Sequence, residues 1–198
     1  MTSNPTTSVA PPSAASRLLE RLVEGRESLD GAAEALQPAA EVARGRGLWR
    51  RVVTGEVLGH AAHPLMTDLP IGFFSSAALL DLAGGAAGRD AARRLVGAGL
   101  LAAPGAALTG LAEYAPLGAR PKRVAATHAA LNTASLGLYA ASWALRPRNH
   151  RAGVVFGMAG LAVSGLSAYL GGHLAIGEKV GTAAPVEEAG IPQVVDAL

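Results

Sequence analysis

The 198-residue chain lacks cysteine altogether, and charged and aromatic residues make up only 16% and 4% of it. Without cysteine it forms no disulfide, thiolate-bound iron–sulfur cluster, zinc finger or cysteine nucleophile. A soluble domain carries about 25% charged residues, so this chain is depleted. Its net charge of +2 does not favour a nucleic-acid partner. Apolar residues form 50% of the chain, which is enough to build a packed core and excludes disorder throughout.

Four stretches contain no Asp, Glu, Lys or Arg, and short basic segments separate them. The uncharged stretches are residues 69–80, 95–112, 124–145 and 152–177. A helix needs roughly 20 apolar residues to cross a bilayer, and the first stretch approaches that length when Asp81 is admitted. A soluble Ala-rich bundle, the alternative, would show a polar face that 95–112 lacks. We therefore predict an all-α, integral membrane four-helix antiparallel bundle in contact with the lipid bilayer.

The remaining segments set the domain organisation. Residues 1–16 are rich in Thr, Ser and Pro and predict a disordered leader, and residues 182–198 predict a flexible acidic tail. Apolar residues at helical spacing over 17–36 predict an N-terminal amphipathic helix. This helix belongs to an extra-membrane region, 17–56, ahead of a four-span membrane domain, 57–181. With four spans both termini share one side, here called side A, and a slight excess of basic residues there favours cytoplasmic termini.

Polar side chains inside the predicted spans gather at side A, because antiparallel threading brings one from each helix into the same leaflet. Neutral imidazoles with a carboxylate suit a transition metal ion, and two facing imidazoles suit a haem iron. We therefore predict a site for haem b or a transition metal ion. The predicted metal ligands are His63, His128, His173 and Glu113, and the three histidines are also the predicted haem-binding residues. The predicted supporting residues are His60, Asp68 and Asn132.

These residues also have structural explanations. Asp68 can cap the first membrane helix, Glu113 can reach the interface, and Asn132 can form an interhelical hydrogen bond. Asp81 lies on the opposite side, side B, where we expect it to pair with Arg89 or the adjoining loop. Two other functions stay open: a cofactor-free membrane scaffold, and a small transporter or proton path. No GxSxG elbow or Gly-rich phosphate loop indicates a hydrolase or transferase, so enzymatic activity is left undecided.

Several motifs along the membrane domain resemble a bacterial four-span membrane family of unknown function. The motifs are HPLMTDLPIG, HAALN and LGGHL, and they contain His63, Asp68, His128, Asn132 and His173. Members of the family occur alone or fused to a Rieske iron–sulfur domain. The resemblance implies a multi-pass protein of the bacterial inner membrane that takes part in redox work with haem or a quinone. Without cysteine, this chain would need a separate redox partner such as a Rieske protein. Assembly into a homo-oligomer stays open.

Overall fold

The structure, a computed structural model, describes residues 14–178 and 180, and every regular element in that part of the chain is a helix. Four short α-helices come first in the described chain, and four long ones follow. The short helices are α1 (Ala14–Leu19), α2 (Asp30–Ala35), α3 (Gln37–Arg44) and α4 (Gly47–Val53). The long helices are α5 (Ala62–Ala83), α6 (Arg89–Tyr114), α7 (Ala119–Leu145) and α8 (His150–Gly172). The predicted leader up to residue 13 and the predicted acidic tail lie outside the described residues.

The long helices form two antiparallel hairpins, α5 with α6 and α7 with α8. In the first hairpin, His63 at the start of α5 bonds to the carbonyl of Ala106 in the second half of α6. In the second, the Ser142 hydroxyl near the end of α7 donates to the carbonyl of Gly153 near the start of α8, at 2.6 Å. The connections 84–88 and 146–149 are short, and loops of this length place neighbouring helices antiparallel.

The two hairpins lie side by side with a constant offset between α5 and α7. Three side-chain contacts join α5 to α7 or to Arg146, the residue directly after α7, and each connects residues that are 65 positions apart in the chain. Because the offset stays the same along both helices, α5 and α7 run parallel and in register. From side A to side B, the contacts are His63 with His128, Phe74 with Tyr139, and Asp81 with Arg146.

The ring packing repeats from one hairpin to the other. Each of four rings lies against a glycine of the following helix, and corresponding glycines are 61 positions apart. A Cβ added at any of these glycines would come within 3.3 Å of the ring, so a larger residue would force the ring or the helix to shift. The molecule is therefore built from two equivalent hairpins. The ring–glycine pairs are His63 with Gly110, His128 with Gly171, Phe74 with Gly99, and Tyr139 with Gly160.

Three helices in the described chain are long and apolar enough to cross a membrane, one fewer than the four spans predicted. They are α5, α6 and the stretch His150–Gly177, which joins α8 to a π-helical turn. Helix α7 is 27 residues long but less apolar, because polar side chains such as Thr127, Asn132 and Thr133 interrupt its alanines and leucines. Length therefore does not separate α7 from the other three helices; side-chain polarity does.

The segment predicted as one amphipathic helix over 17–36 is helical but broken. A π-helical turn, Glu20–Glu24, follows α1, and a short 3-10 turn, Glu27–Leu29, precedes α2. The break falls at Gly25 and Arg26, where Arg26 adopts an extended backbone. Glycine at this position weakens helix propagation, because it loses the most conformational freedom on becoming helical.

These short helices pack across the side A ends of the long helices, and residues 14–58 are called the N-terminal cap below. Leu19 of α1 and Ala40 of α3 are buried in one apolar cluster with Tyr114 at the end of α6 and Leu174 just after α8. The sequence left open whether this region lies on the membrane surface or against the rest of the chain. Burial of these apolar side chains places it against the ends of the helices.

Candidate functional site

His63 is held rigidly in the first turn of α5. Its Nδ1 lies 2.9 Å from the carbonyl oxygen of Ala106 and 3.2 Å from Oγ1 of Thr109, both on α6. Because a carbonyl oxygen only accepts hydrogen bonds, Nδ1 carries the proton and Nε2 keeps its lone pair. Gly110 leaves room for the ring, since a Cβ there would lie 2.8 Å from its Cε1 atom. A backbone carbonyl that fixes the tautomer is the usual support of a metal-binding imidazole.

His128 has the corresponding environment in the second hairpin. Its Nδ1 lies 2.8 Å from the carbonyl oxygen of Ser167 on α8, and a Cβ at Gly171 would lie 2.9 Å from its Cε1 atom. The proton is again on Nδ1, and the lone pair of Nε2 accepts a hydrogen bond from the Asn132 amide at 3.0 Å. Asn132 is one turn further along α7, so this bond forms within one helix rather than between two.

The imidazoles of His63 and His128 face each other between the two hairpins. Their centroids are 6.5 Å apart and their planes are nearly perpendicular, at 89°. Each ring comes from the start of a parallel helix and donates to a carbonyl of its own hairpin. The structure therefore brings together two of the three predicted histidines as an equivalent pair.

His173 lies in a different setting, within the π-helical turn that follows α8. Among the described residues, its short polar contacts are with carboxylates: Nε2 lies 2.9 Å from Glu24 and 3.8 Å from Glu178. The 2.9 Å contact is an ion-pair distance with poor alignment, since this nitrogen is buried without a hydrogen bond. One donor atom from each of the three residues lies within 4.8 Å of the others, close enough to share a metal ion. Sequence reasoning missed Glu24, which the N-terminal cap supplies.

Glu113 and His60 line a cavity of about 420 Å³ at side A, together with Arg44 and Glu56 of the N-terminal cap. One carboxylate oxygen of Glu113 is buried without a hydrogen-bond partner. The backbone N–H of His63 donates a hydrogen bond to this carboxyl group, and the positive charge of Arg44 interacts with it electrostatically. No side chain caps the N-terminus of α5, and Glu113 places a carboxyl group beside this helix end, where the helix dipole favours a hydrogen-bond acceptor. His60 is exposed, and its Nδ1 lies 3.0 Å from the carbonyl oxygen of Ala61.

Asp68 stands apart from the predicted site. Helix α5 begins at Ala62, so Asp68 lies in its second turn and cannot act as the helix cap, and that interpretation is wrong. Its side chain is exposed on the outer face of α5. His63 lies on the opposite, inner side of α5, where its ring meets His128 of α7.

A buried ion pair joins the hairpins at side B, and sequence reasoning assigned it wrongly. Asp81 pairs with Arg146 rather than with Arg89 or the loop: two parallel hydrogen bonds of 2.7 and 2.6 Å connect the groups. Both side chains are 2% exposed. A Cβ at Gly153 would lie 2.5 Å from Cγ of Arg146, so this glycine makes space for the arginine. Arg146 follows directly after an uncharged stretch, which made it resemble a loop residue.

Charged contacts also fasten the N-terminal cap to α7. Arg123 donates to both carboxylate oxygens of Asp30, at 2.6 and 2.9 Å, and to the backbone carbonyl of Glu24 at 2.5 Å. The hydrogen bond from Arg123 lowers the pKa of Asp30 below its ordinary value. Tyr114 adds a hydrogen bond of 2.6 Å from its hydroxyl to the carbonyl of Ala33. At side A, polar contacts therefore reinforce the apolar packing of the N-terminal cap over the ends of the helices.

Helices long and apolar enough to cross a bilayer, packed closely through glycine, are features of an integral membrane protein. The chain belongs to the family described as Predicted membrane protein (DUF2231), whose sequence pattern covers residues 59–184. This match confirms the family of unknown function that the motifs indicated. It begins just before His60 and includes both hairpins. Neither a curated protein nor a solved structure matches the chain.

Proposed function

We propose that this protein is a four-span membrane module that holds a redox-active cofactor, haem b or a transition metal ion, between His63 and His128. The proposal rests on one observation, the 6.5 Å spacing of two imidazoles with equivalent surroundings. Both rings keep the Nε2 lone pair that a metal needs, because both Nδ1 atoms donate to carbonyls. A bound iron or copper would supply one-electron chemistry at this position.

The spacing of the two rings would accommodate one metal ion between them. A metal–nitrogen bond of about 2.1 Å, plus roughly 1.1 Å from the nitrogen to the ring centre, would put each ring centre about 3.2 Å from the metal. Two such distances together come to about 6.4 Å, and the ring centres are 6.5 Å apart. His63 and His128 would therefore hold a metal ion or a haem iron through their Nε2 atoms.

The proposal treats α7 as the fourth span. No charged residue occurs in 124–145. Its Ser135 and Ser142 are buried and donate to carbonyls of Gly160 and Gly153 on α8, so these polar groups need not meet lipid. A parallel α5 and α7 also require α6 and α8 to return through the same layer. We place the protein in the bacterial inner membrane with side A and both termini in the cytoplasm, as the basic residues favour.

The other predicted ligands take supporting positions in this proposal. Glu113 acts on the backbone of His63 and so helps to position the start of α5. Asn132 orients the His128 ring and must turn away from Nε2 when a metal binds there. His173 faces Glu24 and is not part of the pair. Electron transfer would use a separate redox partner, because this chain contains no cysteine for an iron–sulfur cluster.

A cofactor-free scaffold is the second candidate, and the bond from Asn132 to Nε2 of His128 favours it. In that function the His128 imidazole satisfies both of its nitrogens with protein groups, and the two histidines pin neighbouring helices. His128→Ala would then lower the stability of the bundle without releasing any bound species.

An optical spectrum and a metal analysis of the detergent-purified protein separate the two candidates. The cofactor proposal predicts a Soret band, or one transition metal ion per chain, that is lost in His63→Ala and in His128→Ala. His150→Ala is the matched control, because this histidine lies at side B, and it should keep the full signal. Circular dichroism and melting of each variant show that the helices remain folded.

Folded wild-type protein without a Soret band and without stoichiometric metal would overturn the cofactor proposal. Retention of the full signal in both His63→Ala and His128→Ala would overturn the ligand assignment, and loss in His173→Ala alone would move the metal to Glu24 and His173. A folded, cofactor-free protein whose His128→Ala variant is destabilised would support the scaffold.

A further inference from the structure

Helix α4 presents an apolar stripe that the rest of the chain leaves uncovered. Leu48, Trp49 and Val52 are 69%, 49% and 47% exposed. At about 100° per residue, these three side chains fall within one arc of about 100° on the helix surface. Val53 lies beyond that arc and is buried against the neighbouring residues. The helix therefore has an inner side packed on the protein and an outer apolar stripe.

This stripe lies where the chain enters the membrane. The residue after α4, Thr54, accepts a hydrogen bond at 3.3 Å from the N–H of Ala62, the first residue of α5. Between the two helices, Val57 and Leu58 are 47% and 52% exposed. Leu65, in the first turn of the span, is 53% exposed. Exposed apolar side chains thus occur from α4, through the connection, to the first turn of α5.

Positive charge flanks the stripe. Arg46 and Arg51 are exposed on α4 or directly before it, whereas Arg50 pairs with Glu56. Trp49 donates its indole N–H to the carbonyl of Ala43 at 3.0 Å, so its ring can lie in an apolar region without losing a hydrogen bond. Tryptophan and arginine in this arrangement are typical of helices at the headgroup level of a bilayer.

We propose that α4 is an interfacial helix that lies in the plane of the membrane at side A and binds anionic phospholipid headgroups. Leu48, Trp49 and Val52 insert at the boundary between headgroups and acyl chains. Arg46 and Arg51 contact the phosphates. The helix thereby anchors the N-terminal cap to the bilayer beside the entrance of α5. A water-exposed α4 would leave this apolar surface in contact with solvent at a cost proportional to its area.

The chain contains two tryptophans, so Trp143→Phe leaves Trp49 as the single fluorescent reporter. This variant is reconstituted into phosphatidylcholine vesicles whose acyl chains carry bromine either near the headgroup or near the bilayer centre. Bromine near the headgroup should remove at least about half of the Trp49 emission, and deep bromine much less. Acrylamide in the water should quench weakly. Efficient acrylamide quenching without any effect of brominated lipid would overturn the proposal.

Brominated phosphatidylglycerol diluted into ordinary phosphatidylcholine measures the preference for anionic lipid. If the brominated lipid quenches Trp49 more than its mole fraction predicts, this lipid is enriched around Trp49. Each arginine near an anionic surface contributes up to about fivefold to that enrichment. Arg46→Gln with Arg51→Gln should remove most of it, whereas Arg148→Gln, an exposed arginine of side B, should not. Equal enrichment in all three proteins would overturn the assignment of the headgroup ligands.

Discussion

The buried Asp81–Arg146 pair offers the strictest test of how the two hairpins are joined. Both side chains are 2% exposed, and two hydrogen bonds of 2.7 and 2.6 Å connect them. Asp81→Leu removes the carboxylate and leaves the guanidinium charged and buried. Removing one partner of a buried pair costs about 3–5 kcal/mol, because the remaining charge loses its compensation. Arg146→Met should cost a similar amount, since it leaves the carboxylate alone.

The double variant distinguishes this explanation from a simple loss of packing. Asp81→Leu with Arg146→Met replaces the pair by two apolar side chains, and replacing a buried ion pair by apolar residues is often neutral or stabilising. We therefore expect the double variant to be more stable than either single variant. Asp90→Leu is the control, because Asp90 is exposed near the same end of the molecule, and it should change stability by less than about 0.5 kcal/mol.

The free energy of unfolding is measured by circular dichroism during titration of mixed dodecylmaltoside micelles with dodecyl sulfate. A cost below about 1 kcal/mol for Asp81→Leu would show that the arginine finds other compensation. If the effects of the two single substitutions simply add in the double variant, the groups do not interact. Either result would refute the buried pair as the link between α5 and α7.

Two further predictions concern packing and pH. Gly153→Ala should destabilise the protein by about 1–3 kcal/mol in the same titration, because the new methyl group overlaps Arg146. Gly137→Ala meets nothing within 4 Å and should have little effect or stabilise the helix; equal costs would contradict the packing. Because Arg123 lowers the pKa of Asp30, this pair stabilises the fold above the ordinary pKa of 3.8 and loses its effect as the pH falls below that value. Hydrogen-exchange protection factors of the N-terminal cap, which correct for the intrinsic slowing of exchange in acid, should fall in that range, and Asp30→Asn should remove this pH dependence.

Much of the candidate site could be predicted from residue type and spacing. His63 lies six residues before one uncharged stretch and His128 lies near the start of another, and antiparallel threading was enough to place them at the same side. A repeat was also visible in principle, because a histidine in HPLMTDLPIGFF and one in HAALNTASLGLY precede a glycine by nine residues. Comparing the chain with itself would have revealed the 65-residue offset and paired Asp81 with Arg146.

The remaining contacts could not be predicted, because they join distant parts of the chain through side-chain geometry. Glu24 reaches His173 only because the N-terminal cap folds across the ends of the helices. The break at Gly25 permits that path, whereas the apolar spacing over 17–36 favoured an uninterrupted helix. Local periodicity reports which face of a helix is apolar, and it carries no information about which element covers that face.

By itself, the sequence determined that the protein is helical and embedded in a membrane. The reason is that its long stretches without charged residues favour lipid over water, and only short charged segments separate them. It also determined the family, through motifs that lie within the matched residues 59–184. Only the tertiary structure decided that His63 faces His128 while His173 faces Glu24. The physical reason is that glycines set how closely neighbouring helices approach, and this spacing fixes which polar side chains meet.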